Sequence, residues 1–478
     1  MQLIIRKEQI LNPMLTNKTF GISLVVLSIF LSFIENFYKI RFLIGGWHIV
    51  FYILLTLPLL YATLTQKLIN PYTKWFLPFL FIMIGDMFYY NNTMIQYFVP
   101  IIFYILLFVL YITAMQKVHS VYQTFIPHFF LSFNFVRHIK DFFTRIFTKK
   151  PDAKLYTRIA LALSISLPFV GIFLALLFDA DSNYSYFIRK LFDFHLNFSI
   201  HYLVSVPLYF ILFLWLFIYG FSNEKDRIKQ TQTQALDLLI VGIFLVLINL
   251  VFISFILMQI PFLIDSQNVP QGINIASFAR EGFFQLMLVM GLVVLIFLFI
   301  MRRFKNEKLV LFFLVGLLVQ SIIMGIVSLK KMYLYQSIKG ATVLRYYVEW
   351  FDYFLISVLF LGIVFLIKKY PFAKLLNIVT FIAIISFSVI ISLNIDAIVA
   401  KHNIEKFKNT PQKLDRYALY NLSIDALPIL KQSNIKLTQE HKGKFYSSFY
   451  KKRNCNNFAS YHFGYCSIEK VYGNKKTW

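Results

Sequence analysis

Polar and ionisable residues collect at the ends of long apolar runs in the second half of the chain. Most of them lie in three stretches, SFAREGFFQLM, MYLYQSIKGATVLRYYVEWFDYF and NIDAIVAKHN. The candidate site residues that these stretches supply are Arg280, Glu281, Tyr335, Arg345, Glu349, Asp352, Asn394, Asp396 and Asn403. Guanidinium, carboxylate and amide groups without an evident nucleophile suit the binding of an ion, a ligand or a signal better than catalysis.

Spacing places several of these side chains together. Arg345 precedes Glu349 by four residues and Glu349 precedes Asp352 by three, so the three share one face of a helix. A half-buried arginine near hydrocarbon needs a carboxylate partner, because an unpaired charge there costs several kcal/mol. We therefore predict that Asp396 pairs with Arg280 or with Arg345.

The stretch NIDAIVAKHN follows the apolar run FIAIISFSVIISL without an intervening glycine or proline. This continuity predicts that the helix crosses the bilayer and runs on unbroken into the interface, with Asn394 and Asp396 at the depth of the headgroups. Asp396, Ala400 and Asn403 are four and three residues apart, so they form a polar stripe with a small residue in its middle.

Two interpretations of these residues stay open. Charged side chains at helix ends commonly reach the headgroups or hold loops against a bundle, and the same residues could form an ion, ligand or signal site. Catalysis is not favoured, because the chain contains no phosphate-binding loop of the GxxxxGK[ST] type and no HExxH, GxSxG or GxGxxG motif. We predict no catalytic residue, no cofactor and no metal site.

Composition identifies the elements that must position these residues. Hydrophobic residues make up 59% of the 478 residues and charged residues only 14%, against about 25% charged in a soluble domain. Apolar runs of about twenty residues without period-two alternation predict an all-α, polytopic transmembrane helical bundle. We expect about eleven spans, at residues 20–37, 42–64, 73–90, 94–115, 158–178, 196–221, 236–260, 282–301, 308–328, 350–367 and 374–393.

Basic residues orient the bundle, since cytoplasmic connections carry the excess of Lys and Arg. With the N-terminus inside, the inner segments hold 23 basic residues, the outer connections 9 and the C-terminal tail 15. An odd number of spans then puts the tail outside a bacterial cytoplasmic membrane. The net charge of +25 is spread over short segments beside spans, which favours contact with anionic membrane lipids over nucleic acid.

The chain divides into a group of about four spans at 1–116, a basic aromatic cytoplasmic connector at 117–157, a group of about seven spans at 158–393 and a basic, mainly helical extracytoplasmic tail at 394–478. The apolar face of Phe135–Ile146 suits a connector helix lying on the membrane surface or one packed under the bundle. Cys455 and Cys466, the two cysteines, both lie in the tail. They form a disulfide if the compartment is oxidising, or they remain two thiols.

A family resemblance covers roughly residues 270–430. It rests on four segments, FAREGFFQL, YLYQSIKGATVLRYYVEWF, NIDAIVAKHN and LDRYALYNLSIDALPIL. They resemble a bacterial family of polytopic membrane proteins known as domain of unknown function 4173, with a related group numbered 4153. The resemblance implies a helical bundle with an outward C-terminal segment, and it brings no established activity, substrate or catalytic residue. The positions that match the family's pattern are Arg280, Gly282, Phe283, Tyr335, Gly340, Arg345, Asn394, Asp396 and Asn403.

The composition of the tail favours a sensing, regulatory or assembly role over transport. It holds 15 basic and 6 acidic residues, and its stretch LDRYALYNLSIDALPILKQ has apolar residues spaced to pack a short helical domain against the bundle. We interpret the chain as a non-enzymatic envelope protein with a sensing, regulatory or assembly role, whose partners are membrane lipids and another envelope protein. The alternative is a transporter of a small solute or ion, suggested by prolines within spans, namely Pro58, Pro78, Pro100, Pro168 and Pro207.

The orientation of the tail is directly testable. In the variant Glu440→Cys, we expect an impermeant thiol reagent to label the new cysteine in intact cells, because the tail is predicted to lie outside. The unsubstituted protein, with Cys455 and Cys466 alone, provides the background. Labelling only after the cells are permeabilised would reverse the predicted orientation.

Overall fold

The computed structural model describes residues 46–65, 70, 72–92, 94–113, 155–192, 238–265, 282–301, 307–433, 455–456 and 461–472. These residues form helices and connections, with no strand among them. The predicted spans at 20–37 and 196–221 and the predicted connector helix lie outside the described residues. An all-helical class is therefore confirmed for the part of the chain that is described.

The helices are labelled here in chain order. They are α1 (Gly46–Leu64), α2 (Thr73–Tyr89), a π-helical turn (Met94–Phe98) leading into α3 (Val99–Thr113), α4 (Leu155–Ala180), α5 (Ser182–Phe192), α6 (Leu238–Ile264), α7 (Phe283–Met301), α8 (Lys308–Lys339), α9 (Val343–Lys368), α10 (Phe372–Ile391), α11 (Ile395–Lys406), α12 (Arg416–Tyr420), α13 (Leu427–Gln432) and α14 (Phe463–Tyr472). Short 3₁₀ turns lie at Pro411–Lys413 and Ile424–Ala426.

Six described helical segments are long and apolar enough to cross a membrane. They are Met94–Tyr111, Leu238–Ile264, Phe283–Met301, Lys308–Lys339, Val343–Lys368 and Phe372–Ile391. Their exposed side chains are themselves apolar, as at Leu295, Phe312 and Phe360, which are more than half exposed. An apolar outer face is stable in lipid and not in water, so the chain is an integral membrane protein. The number of about eleven spans remains a prediction.

The chain divides into two compact units. The first unit comprises Met1–Phe125, Ala341–Val343 and Thr380–Trp478, and the second comprises Ile126–Gly340 and Leu344–Val379. Neither unit is a continuous stretch of chain. The domain boundaries predicted at residues 116, 157 and 393 stay predictions.

In the second unit, α6 packs against α4 and α8, and α7 packs against α4 and α8. The core between them is apolar and contains polar bridges, in one of which Gln320 of α8 donates to the Asn249 side chain of α6 over 3.0 Å. This bridge is one of the interhelical hydrogen bonds that polar residues inside spans form, because hydrocarbon offers them no other partner.

Two successive lysines explain why α8 is longer than predicted. The predicted span ends at residue 328, whereas α8 continues to Lys339. Lys330 donates to the terminal carbonyls of α6 at Phe262 and Leu263. Lys331, fully buried, lies 2.8 Å from the buried Asp181 carboxylate and also donates to the Ala180 carbonyl at the end of α4. Carbonyls at a helix end lack intrahelical donors, and the two ammonium groups supply them.

In the first unit, the C-terminal segment has a small core of its own. Buried apolar residues from α11 to α14 pack together in it, namely Ala400, Leu419, Ile424, Ala426, Leu427, Leu430, Tyr465 and Cys466. Leu414 and Leu422, predicted to help pack a short helical domain, lie against this core. Cys455 and Cys466 are joined by a disulfide, with their Cα atoms 5.6 Å apart.

The helix predicted to run unbroken through NIDAIVAKHN is in fact interrupted. α10 ends at Ile391 and α11 begins at Ile395. The Asn394 side chain accepts a hydrogen bond from the Ala397 N–H over 3.0 Å, so it is the N-cap of a new helix. The prediction of continuity was wrong because an asparagine can end one helix and start another without glycine or proline.

Close packing at the start of α7 generates a testable prediction. Gly282 has a φ of 88°, and a Cβ added there would lie 1.9 Å from the Ala180 carbonyl oxygen. We expect Gly282→Ala to lower the thermal unfolding midpoint of the purified protein by several degrees, because the left-handed backbone alone costs about 1–2 kcal/mol for a non-glycine residue. The matched control is Gly291→Ala, where an added Cβ meets nothing within 4 Å. Equal midpoints for the two variants would contradict this account.

Candidate functional site

The predicted polar residues fall into two groups, each within its own unit. We call Asn394, Asp396 and Asn403 the Asp396 group, which belongs to the first unit, and Tyr335, Arg345, Glu349 and Asp352 the Glu349 group, which belongs to the second. Arg280 and Glu281 lie outside the described residues. The predicted pairing of Asp396 with Arg280 therefore stays a prediction. Its pairing with Arg345 also stays a prediction, because the two residues belong to different units.

Asn403 binds both backbone polar groups of Ala341. Its Oδ1 accepts from the Ala341 N–H over 2.7 Å, and its Nδ2 donates to the Ala341 carbonyl over 2.9 Å. One asparagine side chain thus satisfies both polar groups of a buried residue that belongs to no helix. This pair of bonds fixes α11 to residues 341–343 of the same unit.

Two buried carboxylates lie at the centre of the first unit's polar contacts. Asp396 Oδ1 accepts from the Ser423 N–H over 2.8 Å. Asp425 accepts from the Asn91 N–H over 2.6 Å, from the Asn91 side-chain amide over 2.9 Å and from the Ser423 hydroxyl over 3.2 Å. Asn394 adds a hydrogen bond to the Asp425 carbonyl over 3.2 Å. The C-terminal segment is thereby held to the connection between α2 and the π-helical turn.

The two carboxylates influence each other electrostatically. Burial raises the pKa of Asp425 to about 6, and the nearby Asp396 carboxylate also raises it. The hydrogen bonds from Asn91 act in the opposite direction and lower it. Burial likewise raises the pKa of Asp396, and the hydrogen bonds from Ser423 oppose this rise. Both side chains are 4% exposed, so water contributes little to their solvation.

A second buried contact comes from the start of α14. His462 is fully buried, its Nε2–H donates to the Met87 carbonyl over 3.0 Å, and its Nδ1 accepts from the Tyr465 N–H over 3.2 Å. The two bonds together require a neutral imidazole with its proton on Nε2. Nearby, a Cβ added to Gly464 would lie 1.6 Å from the Tyr89 carbonyl oxygen, so α14 packs directly on the end of α2.

The Glu349 group has different neighbours. Arg345 donates to the Gly340 carbonyl, and its guanidinium lies 4.2 Å from the centre of the Tyr335 ring. Glu349 accepts from the Gln336 side-chain amide. Asp352 accepts from the Ser328 hydroxyl over 2.6 Å. Both carboxylates are buried in α9, and Gln336 and Ser328 are neutral side chains of α8.

Several residues that organise these sites were not singled out from the sequence. Asp425, Asn91 and His462 sit in short polar connections without a motif, and their sequence separations of several hundred residues conceal their pairing. Asp181 and Lys331 left a clearer signal, because an ionisable residue beside an apolar span usually has a partner.

The two groups differ in what they can do chemically. The Asp396 and Asp425 carboxylates accept from backbone N–H groups, a side-chain amide and a hydroxyl, which suits holding loops in place. In the Glu349 group, two carboxylates inside a spanning helix have neutral donors. Among the described residues, no group of three or more His, Cys, Asp or Glu side chains has an arrangement that could hold a metal ion.

Comparison with known proteins gives a family but no activity. The family model described as Domain of unknown function (DUF4153) matches residues 22–433. This is the group named above as related to domain of unknown function 4173, so the resemblance is correct at the level of a family without assigned function. No curated protein and no solved structure matches the chain.

The raised pKa of Asp425 predicts a pH dependence of stability. Its pKa of about 6 in the folded protein exceeds the ordinary value of about 3.9, so folding favours the protonated form. The resulting contribution, about 3 kcal/mol, is fully present below about pH 4 and is lost as the pH rises through about 6.

We expect the unfolding midpoint of the unsubstituted protein to fall, relative to that of Asp425→Asn, as the pH rises from about 4 to about 7. The control is Glu405→Gln, because the Glu405 side chain is 66% exposed and its profile should parallel that of the unsubstituted protein. A constant difference between Asp425→Asn and the unsubstituted protein across this range would refute the prediction.

Proposed function

The chain belongs to the DUF4153 family, and we propose that it is a non-enzymatic membrane protein of the bacterial envelope with an assembly role. In this proposal the C-terminal segment is a small docking domain that lies outside the cytoplasmic membrane. Sensing and regulation are the related roles that such a domain can serve when its partner carries a signal.

One observation carries the proposal: the described part of the C-terminal segment, residues 394–433, 455–456 and 461–472, is folded and held to the rest of the first unit by buried polar contacts. Asp425 binds the backbone and side chain of Asn91, and His462 binds the Met87 carbonyl. A solvated, purely charged tail would have no need for buried bonds of this kind, since each one orders the chain at an entropic cost. A rigid domain, in contrast, presents a fixed surface to a partner.

The surface of this domain is basic. Lys408, Lys413 and Arg416 are exposed on consecutive short elements, and Lys401 makes only a long i,i+4 contact of 3.8 Å with Glu405, both side chains being about two-thirds exposed. Exposed ion pairs of this type contribute little stability. An excess of one charge on a fixed surface instead steers and orients a partner of the opposite charge. Over residues 401–416 the exposed basic residues, Lys401, Lys408, Lys413 and Arg416, outnumber the exposed acidic residues, Glu405 and Asp415.

The described cavity does not favour the transport alternative. It lies between α4, α6 and α7 in the second unit and has an apolar lining of Phe169, Val241, Phe244, Leu295, Ile296, Phe299 and Ile300. A path for a hydrophilic solute needs polar groups to replace water, whereas these side chains suit an acyl chain. The docking role is therefore the function we propose.

The experiment is affinity capture of the intact protein from its own membrane, followed by identification of the proteins that copurify. In the triple variant Lys408→Glu, Lys413→Glu, Arg416→Glu, we expect the recovery of a specific acidic partner to fall at least tenfold, because three attractive charges become repulsive.

The matched control is the triple variant Lys408→Arg, Lys413→Arg, Arg416→Lys, which changes the same three side chains and keeps their charges. This control should retain the partner. A partner whose recovery is unchanged by the first triple variant, or lost equally in both, would contradict a docking role for the C-terminal segment.

A further inference from the structure

Asp352 is a fully buried carboxylate near the start of the apolar run of α9, a helix long and apolar enough to span a membrane. It lies on α9, its side chain is 0% exposed, and Glu349 lies one helical turn before it at 7% exposure. A carboxylate at such a position is costly unless it is neutralised, because hydrocarbon and packed side chains do not solvate charge. The buried Asp352 carboxylate therefore needs a proton or a cation to neutralise it.

The described surroundings of Asp352 supply a hydroxyl and no cation. Ser328 of α8 donates to Asp352 Oδ2 over 2.6 Å. The other oxygen, Oδ1, is buried and has no hydrogen-bond partner among the described residues. A single neutral donor compensates only a small part of the cost of burying a full negative charge.

Asp181 in the same unit shows what full compensation looks like. Its side chain is also 0% exposed, and Lys331 lies 2.8 Å from it. Lys331 is three residues from Ser328 on α8, yet its ammonium group is directed to Asp181 and to the Ala180 carbonyl. One of the two fully buried aspartates thus has a lysine of its own, and the other has a serine.

Oxygen atoms of three kinds lie close together at Asp352. The Ser328 hydroxyl lies 2.6 Å from Asp352 Oδ2 and 3.5 Å from the Phe283 carbonyl oxygen at the start of α7. Carboxylate, hydroxyl and backbone carbonyl oxygens are the ligands that hard cations prefer. The same atoms also allow two successive hydrogen bonds. A protonated Asp352 carboxyl can donate to the Ser328 hydroxyl, and that hydroxyl can donate to the Phe283 carbonyl oxygen.

We propose that Asp352, with the Ser328 hydroxyl and the Phe283 carbonyl, forms a binding site for a monovalent cation, H⁺ or Na⁺, that neutralises the carboxylate inside the membrane. The site lies in the second unit and does not depend on the docking role of the C-terminal segment. The other titratable groups around it are Glu349, which interacts electrostatically with Asp352, and Tyr333 and Tyr346, which interact with Glu349.

The two cations are distinguished by two measurements on the full-length protein in lipid or detergent. If H⁺ occupies the site, the infrared spectrum at neutral pH contains a protonated-carboxyl C=O absorption that Asp352→Asn removes. If Na⁺ occupies it, NaCl raises the thermal unfolding midpoint by several degrees over choline chloride at equal ionic strength, and Asp352→Asn abolishes this rise.

Two further variants keep the test decisive if Asp352→Asn folds poorly. Ser328→Ala leaves the carboxyl in place and removes one oxygen, so it should shift the infrared absorption or reduce the Na⁺-dependent rise. Glu405→Gln alters an exposed carboxyl outside the spans and should change neither. Finding no protonated-carboxyl absorption and no Na⁺-dependent rise in the unsubstituted protein would overturn the proposal, since Asp352 would then be ionised without a bound cation.

Discussion

A polar group that water cannot reach must find its partner inside the protein, and much of this structure follows from that requirement. The ends of α4 and α6 are the clearest case, because their last carbonyls have no donors within their own helices. Lys331 and Lys330, neighbours on α8, donate to them. Two helix ends are thereby fixed by a third helix, and an apolar core closes around the contact.

The same requirement organises the first unit with different chemistry. There the donors are backbone N–H groups and side-chain amides, and the acceptors are the carboxylates of Asp396 and Asp425. Their raised pKa values show that burial costs these groups more than their hydrogen bonds return. This cost arises where the C-terminal segment joins the connection at Asn91, a junction that the proposed docking role requires to be fixed.

Asp352 differs from Asp181 because its described partner is the neutral Ser328 hydroxyl and not an ammonium group, and Ser328 satisfies only one of its two oxygens. Natural structures seldom leave a buried charge uncompensated without a functional reason. A cation site at this position would add an ion-dependent element to a protein whose C-terminal segment we propose to have an assembly role. The two features lie in different units, so each stands on its own contacts.

The amino-acid sequence by itself determined the class of the molecule. Blocks of apolar residues predict spanning helices because backbone groups in lipid must be satisfied within the segment, and α1–α4 and α6–α10 lie close to predicted spans. Helical spacing placed Asp396, Ala400 and Asn403 on one face, and all three are buried. Such features depend on residues within a few turns of one another, which is the range over which a sequence pattern carries information.

Tertiary structure alone decided which polar residue meets which. Asp425 binds Asn91, His462 binds the Met87 carbonyl and Lys331 binds Asp181, across separations of 334, 375 and 150 residues. Nothing in the local pattern encodes these choices, because a carboxylate accepts equally well from an amide, a hydroxyl or an ammonium group. The break before α11 has the same origin: Asn394 can continue a helix or cap one, and its contacts in the folded chain select the cap.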